Sequence, residues 1–330
     1  MRQAKQNSMQ AVVIDRFGGV ETLEMRVLPV PEVGPHEVMM RVESAGVGEW
    51  DPFEREGGYA EMLGIEPDFP YVLGSEGAGV IAALGDRVGH FERGDSVYAS
   101  GFLNPKGGFY AEYAVVETGY VSIVPAGLTT EQAGVMSGVA ITALRGLDDM
   151  LALKQGESVI IFGAGGGIGH IAVQLAKRMG ARVLAVASGD DGVTLVERLG
   201  ADAAVNGRTN DVLATARKFA PEGLDAALLT AGGEVAEEAL RAVRDGGRVA
   251  YPNGIQPEPQ AGSGVRLSSY HGEPDSEITG RLNRLIEAGP FEVHVAQTFP
   301  LEKATEAHRA LDDHYLGKLA LRPSLRRKSE

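Results

Sequence analysis

The sequence predicts an α/β protein, a doubly wound parallel sheet accompanied by a compact, irregular β-rich domain. Three observations predict it. From Ser158 onward, short apolar strand-like runs alternate with helical runs, the β-α-β-α order of a parallel sheet covered on both faces. Up to Pro125 the texture differs: brief alternating runs are separated by Gly and Pro clusters, as at 29–31, 57–58 and 104–108. The length of 330 residues also exceeds one ordinary domain of about 150.

In chain order, a polar and basic stretch, 1–8, is too short for a transit peptide, and Met9 is the expected start of the folded part. Strands are expected at 11–14, 38–44, 77–84, 96–99, 111–116 and 120–124. Thr129 or Thr130 then caps a helix with Glu131 in its first turn. Buried strands follow at 158–162, 182–187, 226–229 and 248–251, with weaker ones at 203–205 and 264–267. Helices between them are expected at 168–178, 193–199, 212–219 and 235–243. The stretch 293–323 returns to strand, helix and strand, with its helix near 301–311. Periodicity leaves open whether it closes the parallel sheet or rejoins the first domain. The tail 324–330 is expected to fray.

Composition removes several functions. A net charge of −14 opposes binding to nucleic acid or to an anionic membrane, both of which want basic patches. No apolar run approaches the roughly 18 residues of a bilayer span. There is no cysteine, which removes disulfides, thiol nucleophiles and thiolate-held metal, and fits a reducing cytoplasm. The seven histidines lack the three- or four-residue helical spacing of a metal pair. Neither a G-x-S-x-G elbow nor a G-x-x-x-x-G-K-[ST] loop is present. Glycine is abundant, 45 residues against an average of about 7%.

The strongest chemical signal is Ser158-Val-Ile-Ile-Phe-Gly-Ala-Gly-Gly-Gly-Ile-Gly169, an apolar strand that turns on glycine into an amphipathic helix. In register with the dinucleotide fingerprint the key positions are Ala164, Gly166 and Gly169, so the first glycine is replaced. Gly166 would admit a pyrophosphate against the backbone, Gly169 would let helix and strand pack closely, and the helix N-terminus through Gly167 and Ile168 would offer amide donors. The next strand ends at Ser188, small and neutral where an NAD site usually carries an acid, which leaves room for a 2′-phosphate. Arg208 is the expected, more distant phosphate partner. Loops at 230–233 (Thr230, Ala231, Gly232) and 251–254 (Asn253, Gly254) leave the C-terminal ends of later strands, where such sheets bind ligands.

These residues resemble the zinc-independent, quinone-oxidoreductase-like branch of the medium-chain dehydrogenase/reductase superfamily. The other marks are Ala45-Gly-Val-Gly-Glu-Trp-Asp51, Phe69-Pro-Tyr-Val-Leu-Gly-Ser-Glu-Gly-Ala-Gly79, Gly108-Phe-Tyr-Ala-Glu-Tyr-Ala-Val115, Leu199-Gly-Ala-Asp202 and Gly317-Lys-Leu-Ala-Leu-Arg-Pro323. The resemblance implies a Rossmann domain, 129–289, inserted in a GroES-like substrate domain, 9–128 and 290–330. Zinc-dependent relatives place cysteine near Gly46 and histidine where Ser75 stands, and carry a four-cysteine lobe. All are missing here. An asparagine frequent in the branch is replaced by Gly48. The resemblance implies that Asp51 and Arg55 brace this loop, that Phe53 and Tyr59 flank the substrate, and that the Tyr59 hydroxyl donates to its carbonyl. A basic residue and a tyrosine that hold the 2′-phosphate in some relatives correspond to Gly192 and Gly207. Thr142 and Lys318 complete the expected cofactor contacts, and His170 is expected to cap or line the cofactor helix.

The expected activity is hydride transfer from NADP(H), with NAD(H) possible, to a quinone or enone-type carbonyl without metal. Oxidising an alcohol calls for help in removing its proton, whereas reducing a quinone or enone gives a delocalised anion that a few donors stabilise. The alternatives are reduction of 2-alkenals or ketones, and an NADPH-binding protein without useful turnover, structural or redox-sensing. The expected partners are a small carbonyl or quinone substrate and a second copy of the chain, a homodimer joined at an edge strand near 264–270.

Overall fold

A computed structural model describes residues 8–65 and 67–323. The segments 1–7 and 324–330, set apart on sequence grounds, lie outside the described residues. The chain forms two compact units, one from residues up to 138 with 274–276 and the stretch from 295 on, the other from 139–273 and 277–294.

The first unit begins with β1 (Ser8–Ile14), β2 (Glu24–Pro29) and β3 (Glu37–Val47). Two short helices follow, α1 (Trp50–Arg55) and α2 (Gly58–Leu63), then β4 (Tyr71–Val72), β5 (Glu76–Leu84), β6 (Ser96–Ser100), β7 (Tyr113–Glu117) and β8 (Val121–Ile123). β1 sits between β2 and β4 in a three-stranded antiparallel sheet. β3 organises the larger sheet. Val38, Met40 and Val42 point alternately into the core, and the strand pairs antiparallel with both β5 and β7. α3 (Thr130–Gly134) starts on a capping box in which Thr129 and Gln132 satisfy each other's backbone donors.

α4 (Ser137–Leu144) leads into the second unit. Its strands are β9 (Ser158–Phe162), β10 (Arg182–Ala187), β11 (Ala203–Asn206), β12 (Leu224–Leu229), β13 (Val243–Pro252) and β14 (Arg266–Tyr270). They form one parallel sheet in the order β11-β10-β9-β12-β13-β14, the doubly wound arrangement with its reversal beside β9. The helices are α5 (Gly167–Arg178), α6 (Asp190–Arg198), α7 (Val212–Phe219), α8 (Glu234–Ala239) and α9 (Ser276–Glu287). All five residues of β9 are buried, as a central parallel strand requires. The chain then returns to the first unit through β15 (Val295–Pro300), α10 (Ala304–Arg309) and β16 (Lys318–Arg322), and β16 pairs antiparallel with β3. β16 thus belongs to the sheet of β3 and not to the parallel sheet.

Several elements differ from expectation. α1 and α2 arise inside the stretch read as β-rich, at positions where no helix is expected, and β2 is a further strand beyond those expected. α6 begins three residues early, because extended Gly189 ends the preceding loop and the polar pair Asp190 and Asp191 occupies its first turn, outside the apolar period. The helix expected over 235–243 stops at Ala239, passes through a 3-10 turn at Leu240–Ala242, and Val243 already belongs to β13.

Candidate active site

In the second unit the glycine turn is built by three different constraints. Gly163 has φ 68°, a left-handed conformation, and a Cβ there would lie 2.5 Å from Thr230 Oγ1. The positive φ therefore falls one residue before the fingerprint position, and Ala164 fits as an ordinary buried residue. Gly169 packs so closely that a Cβ would lie 2.1 Å from the Gly163 carbonyl oxygen. Gly166 is different. Its φ of −83° suits any residue, and a Cβ would meet only Gly163 O, at 3.4 Å. No side chain caps α5, so its first-turn amides face outward from a twelve-residue helix with the positive end of its dipole. That cradle fits the pyrophosphate of a dinucleotide.

Groups around the cradle hold it still. His170 is fully buried in the first turn of α5, and its Nδ1–H donates to Gly166 O at 2.8 Å. Its Nε2 accepts from the His294 amide at 3.2 Å, and burial lowers its pKa to about 4. Thr230 Oγ1 donates to Phe162 O at 2.6 Å, tying together the ends of β9 and β12. Ser188 is exposed just past β10, and Arg208 is exposed past β11. Asn253 reaches His271 Nε2 at 2.7 Å, beside Gly254 with φ 97°. Gly232 abuts the chain at Gln256, where a Cβ would lie 2.7 Å from the carbonyl oxygen. Thr142 is buried, and its carbonyl accepts from the Tyr270 hydroxyl at 2.9 Å.

The first unit holds a buried charged cluster around α1. Asp51 is fully buried and accepts from the Gly48 amide at 2.7 Å. Burial, with the Glu54 carboxyl alongside, raises its pKa to about 8. Glu54, raised likewise by burial, accepts from Tyr71 Oη at 2.9 Å and the Leu103 amide at 3.0 Å. Arg55 donates from Nε to Gly18 O at 3.0 Å and from Nη1 to His308 Nδ1 at 2.9 Å. Burial and that guanidinium lower the His308 pKa to about 3. Glu76 Oε2 accepts from the Gly138 amide at 2.8 Å, while Lys318 Nζ lies 3.0 Å from Oε1 in an ion pair. The same ammonium sits 4.4 Å from the centre of the Trp50 ring. Aromatic rings continue outward: Trp50 to Phe102 at 6.5 Å, Phe102 to Tyr59 at 4.6 Å, and Tyr59 to the exposed Phe53 at 4.8 Å. Burial beside Glu54 and Asp51 raises the Tyr59 pKa, so at neutral pH its hydroxyl keeps the proton as a donor.

Two family models match this chain, the alcohol dehydrogenase GroES-like domain at residues 34–126 and the zinc-binding dehydrogenases at 167–261. A quinone oxidoreductase of Homo sapiens is 31% identical over 317 residues, which are 92% of this chain and 94% of that protein. The chain belongs to the quinone-oxidoreductase-like branch of the medium-chain dehydrogenase/reductase superfamily. A solved NAD-dependent alcohol dehydrogenase is 29% identical with a TM-score of 0.83, over 95% of this chain and 99% of that one. The quinone oxidoreductase of Escherichia coli, solved in complex with NADPH, shares the fold at 22% identity and a TM-score of 0.80, over 95% of this chain and all of that one. This branch member is thus an NAD(P)H-dependent oxidoreductase with a GroES-like domain and a Rossmann domain.

The fold of this branch gathers the expected cofactor residues Ala164, Gly166, Gly167, Ile168, Gly169, Ser188, Thr230, Ala231, Gly232, Asn253 and Gly254 at or just beyond the C-terminal ends of β9, β10, β12 and β13. Lys318, placed with them on sequence, lies in β16 of the other unit, against Glu76 and Trp50. Sequence reading missed Glu76 and Trp50 as members of a cluster. The signal was present in Glu76, a lone carboxylate heading an apolar strand, which burial obliges to find partners.

Proposed function

We propose that this enzyme reduces a quinone or enone-type carbonyl with NADP(H) and without zinc. The observation that carries the reading is the donor set where zinc-dependent relatives hold metal. Gly46 and Gly48 have no side chain, Ser75 offers a neutral hydroxyl, and Glu76 is already paired with the Lys318 ammonium. A fixed cation beside one remaining carboxylate repels a dication, so zinc does not fit. Among the described residues no cluster of three metal-ligating side chains occurs elsewhere.

The α5 N-terminus and Gly166 would hold the pyrophosphate, and Ser188 with Arg208 would receive a 2′-phosphate, since neither opposes its charge. When bound, the reduced dinucleotide supplies a hydride to the substrate. The chain's own part is to stack a flat substrate against Tyr59, Phe102 and Trp50 and to meet its oxygen with donors, the Tyr59 hydroxyl among them. The name of the human relative supports the quinone, and the acidic chain, with no described helix long and apolar enough to cross a membrane, agrees with a small-molecule substrate in the cytoplasm. The test is one scan of NADPH and NADH oxidation against small quinones, 2-alkenals, ketones and alcohols, with and without a chelator. The expected result is chelator-resistant oxidation of NADPH by quinones or enones. Turnover confined to alcohols, or lost to the chelator, refutes the reading.

A further inference from the structure

We propose that Lys318 supplies the positive charge that receives the substrate's carbonyl oxygen as it is reduced, an inference that rests on the reductase reading above. Four observations converge on its ammonium. The side chain is 3% exposed, yet its Nζ has no hydrogen-bond partner, because the 3.0 Å ion pair with Glu76 lacks hydrogen-bond geometry. A further buried donor beside it is also unsatisfied, the indole Nε1–H of Trp50, whose ring carries the ammonium. Glycine makes the room. A Cβ on Gly48 would lie 2.7 Å from Lys318 Nζ and 3.0 Å from the Trp50 ring, and a Cβ on Gly46 would lie 2.2 Å from Glu76 Oε1. The aromatic run from exposed Phe53 through Tyr59 and Phe102 ends on Trp50, the ring that carries this charge.

Buried polar groups are normally satisfied, and two unsatisfied donors side by side suit an acceptor oxygen brought by a ligand. A buried ammonium held by a single carboxylate keeps its remaining N–H groups for that oxygen. When bound, the reduced dinucleotide would supply a hydride to the substrate carbon and would itself be oxidised by two electrons. The electron pair of the conjugated carbonyl moves onto oxygen, giving an enolate-like or phenolate-like anion. The Lys318 ammonium offsets that charge, and the oxygen takes its proton from water on release. A fixed charge aimed where the anion develops, in surroundings drier than water, stabilises the transition state more than the neutral substrate. The cluster thereby places a lysine where zinc-dependent relatives use a metal.

The test uses Lys318→Met and, because that change alone strands the Glu76 carboxylate, the double variant Lys318→Met/Glu76→Gln. A cofactor-free readout is 4-nitrophenol, whose visible absorption reports its ionisation. Wild-type protein should bind the phenolate and lower its apparent pKa by about one unit, and the folded double variant should abolish that shift. With NADPH and a quinone, the double variant should lose on the order of 100-fold in kcat, while its Kd for NADPH stays within about twofold. Equal nitrophenol titrations in wild type and double variant overturn the proposal, as does turnover near the wild-type rate. A loss confined to NADPH affinity also overturns it, making Lys318 a cofactor contact. Wild-type protein that oxidises no NADPH with any quinone or enone fails the reductase reading instead, and the nitrophenol arm still tests the ammonium.

Discussion

Gly166 and Gly169 stand three residues apart in one turn, and the space around each separates binding from folding. A side chain at Gly169 strikes the Gly163 carbonyl at 2.1 Å, so substitution there damages the turn itself. Gly166 has extended backbone and only one neighbour at 3.4 Å, so Gly166→Val is expected to fold normally. Its branched side chain would still occupy the approach to the α5 amides. Cofactor affinity should therefore drop by about 100-fold, roughly 2.8 kcal/mol, with little change in melting temperature. Fluorescence titration with NADPH measures it, and unchanged affinity in the folded variant refutes the cradle assignment. The cradle was legible because glycine spacing after an apolar strand has a mechanical meaning. The left-handed position falls on Gly163 rather than Ala164 because only glycine adopts it freely, whereas the closeness of Thr230 Oγ1 left no mark in the spacing.

α1 shows how a short helix can carry chemistry that periodicity does not reveal. It has six residues, with Pro52 near its start and Gly57 at φ 91° just beyond its end, so no apolar period develops. What fixes it is the tertiary pairing of Asp51, Glu54 and Arg55, whose partners lie on Gly48, Leu103, Tyr71, Gly18 and His308. The bracing role implied by family resemblance for Asp51 and Arg55 agrees with these bonds. A pH signature follows from Asp51. Its pKa is about 8 when folded and near 3.8 when unfolded, so between those values the native state binds more protons and stability falls as pH rises. His170 and His308 act oppositely, with folded values of about 4 and about 3 against 6.5, so their contribution is complete above pH 6.5 and is lost as pH falls through those values. From pH 6.5 to 8 the Asp51 limb remains. Asp51→Asn keeps an acceptor for the Gly48 amide without the ionisation. Urea midpoints measured across that window should decline less steeply in the variant than in wild type, and parallel slopes would refute the assignment.

The doubly wound sheet was largely readable, since its central strands are continuous apolar runs and its order follows from right-handed crossovers. The return of β16 to β3 was not, because an antiparallel pairing between residues 319–321 and 45–47 leaves no mark in local periodicity. Family resemblance supplied it. The same sheet also leaves an edge to account for. β14 pairs with β13 on one side and closes the strand order, so its other side presents backbone donors and acceptors. Leu267 packs against the unit's core, while Ser268 and Ser269 add no charge to repel a second strand. An edge with a single charge, that of exposed Arg266 at its start, is open to pairing, and a two-fold axis lets identical strands pair without leaving a new edge. We therefore expect a homodimer joined through β14 of the nucleotide-binding unit. Light scattering at micromolar concentration should give about twice the chain mass of 34.8 kDa. A charged substitution at the exposed position, Ser269→Lys, brings two like charges together across the axis and should lower that mass toward the monomer. A wild-type mass near 34.8 kDa refutes the dimer, and a dimer indifferent to Ser269→Lys refutes the edge as its seam.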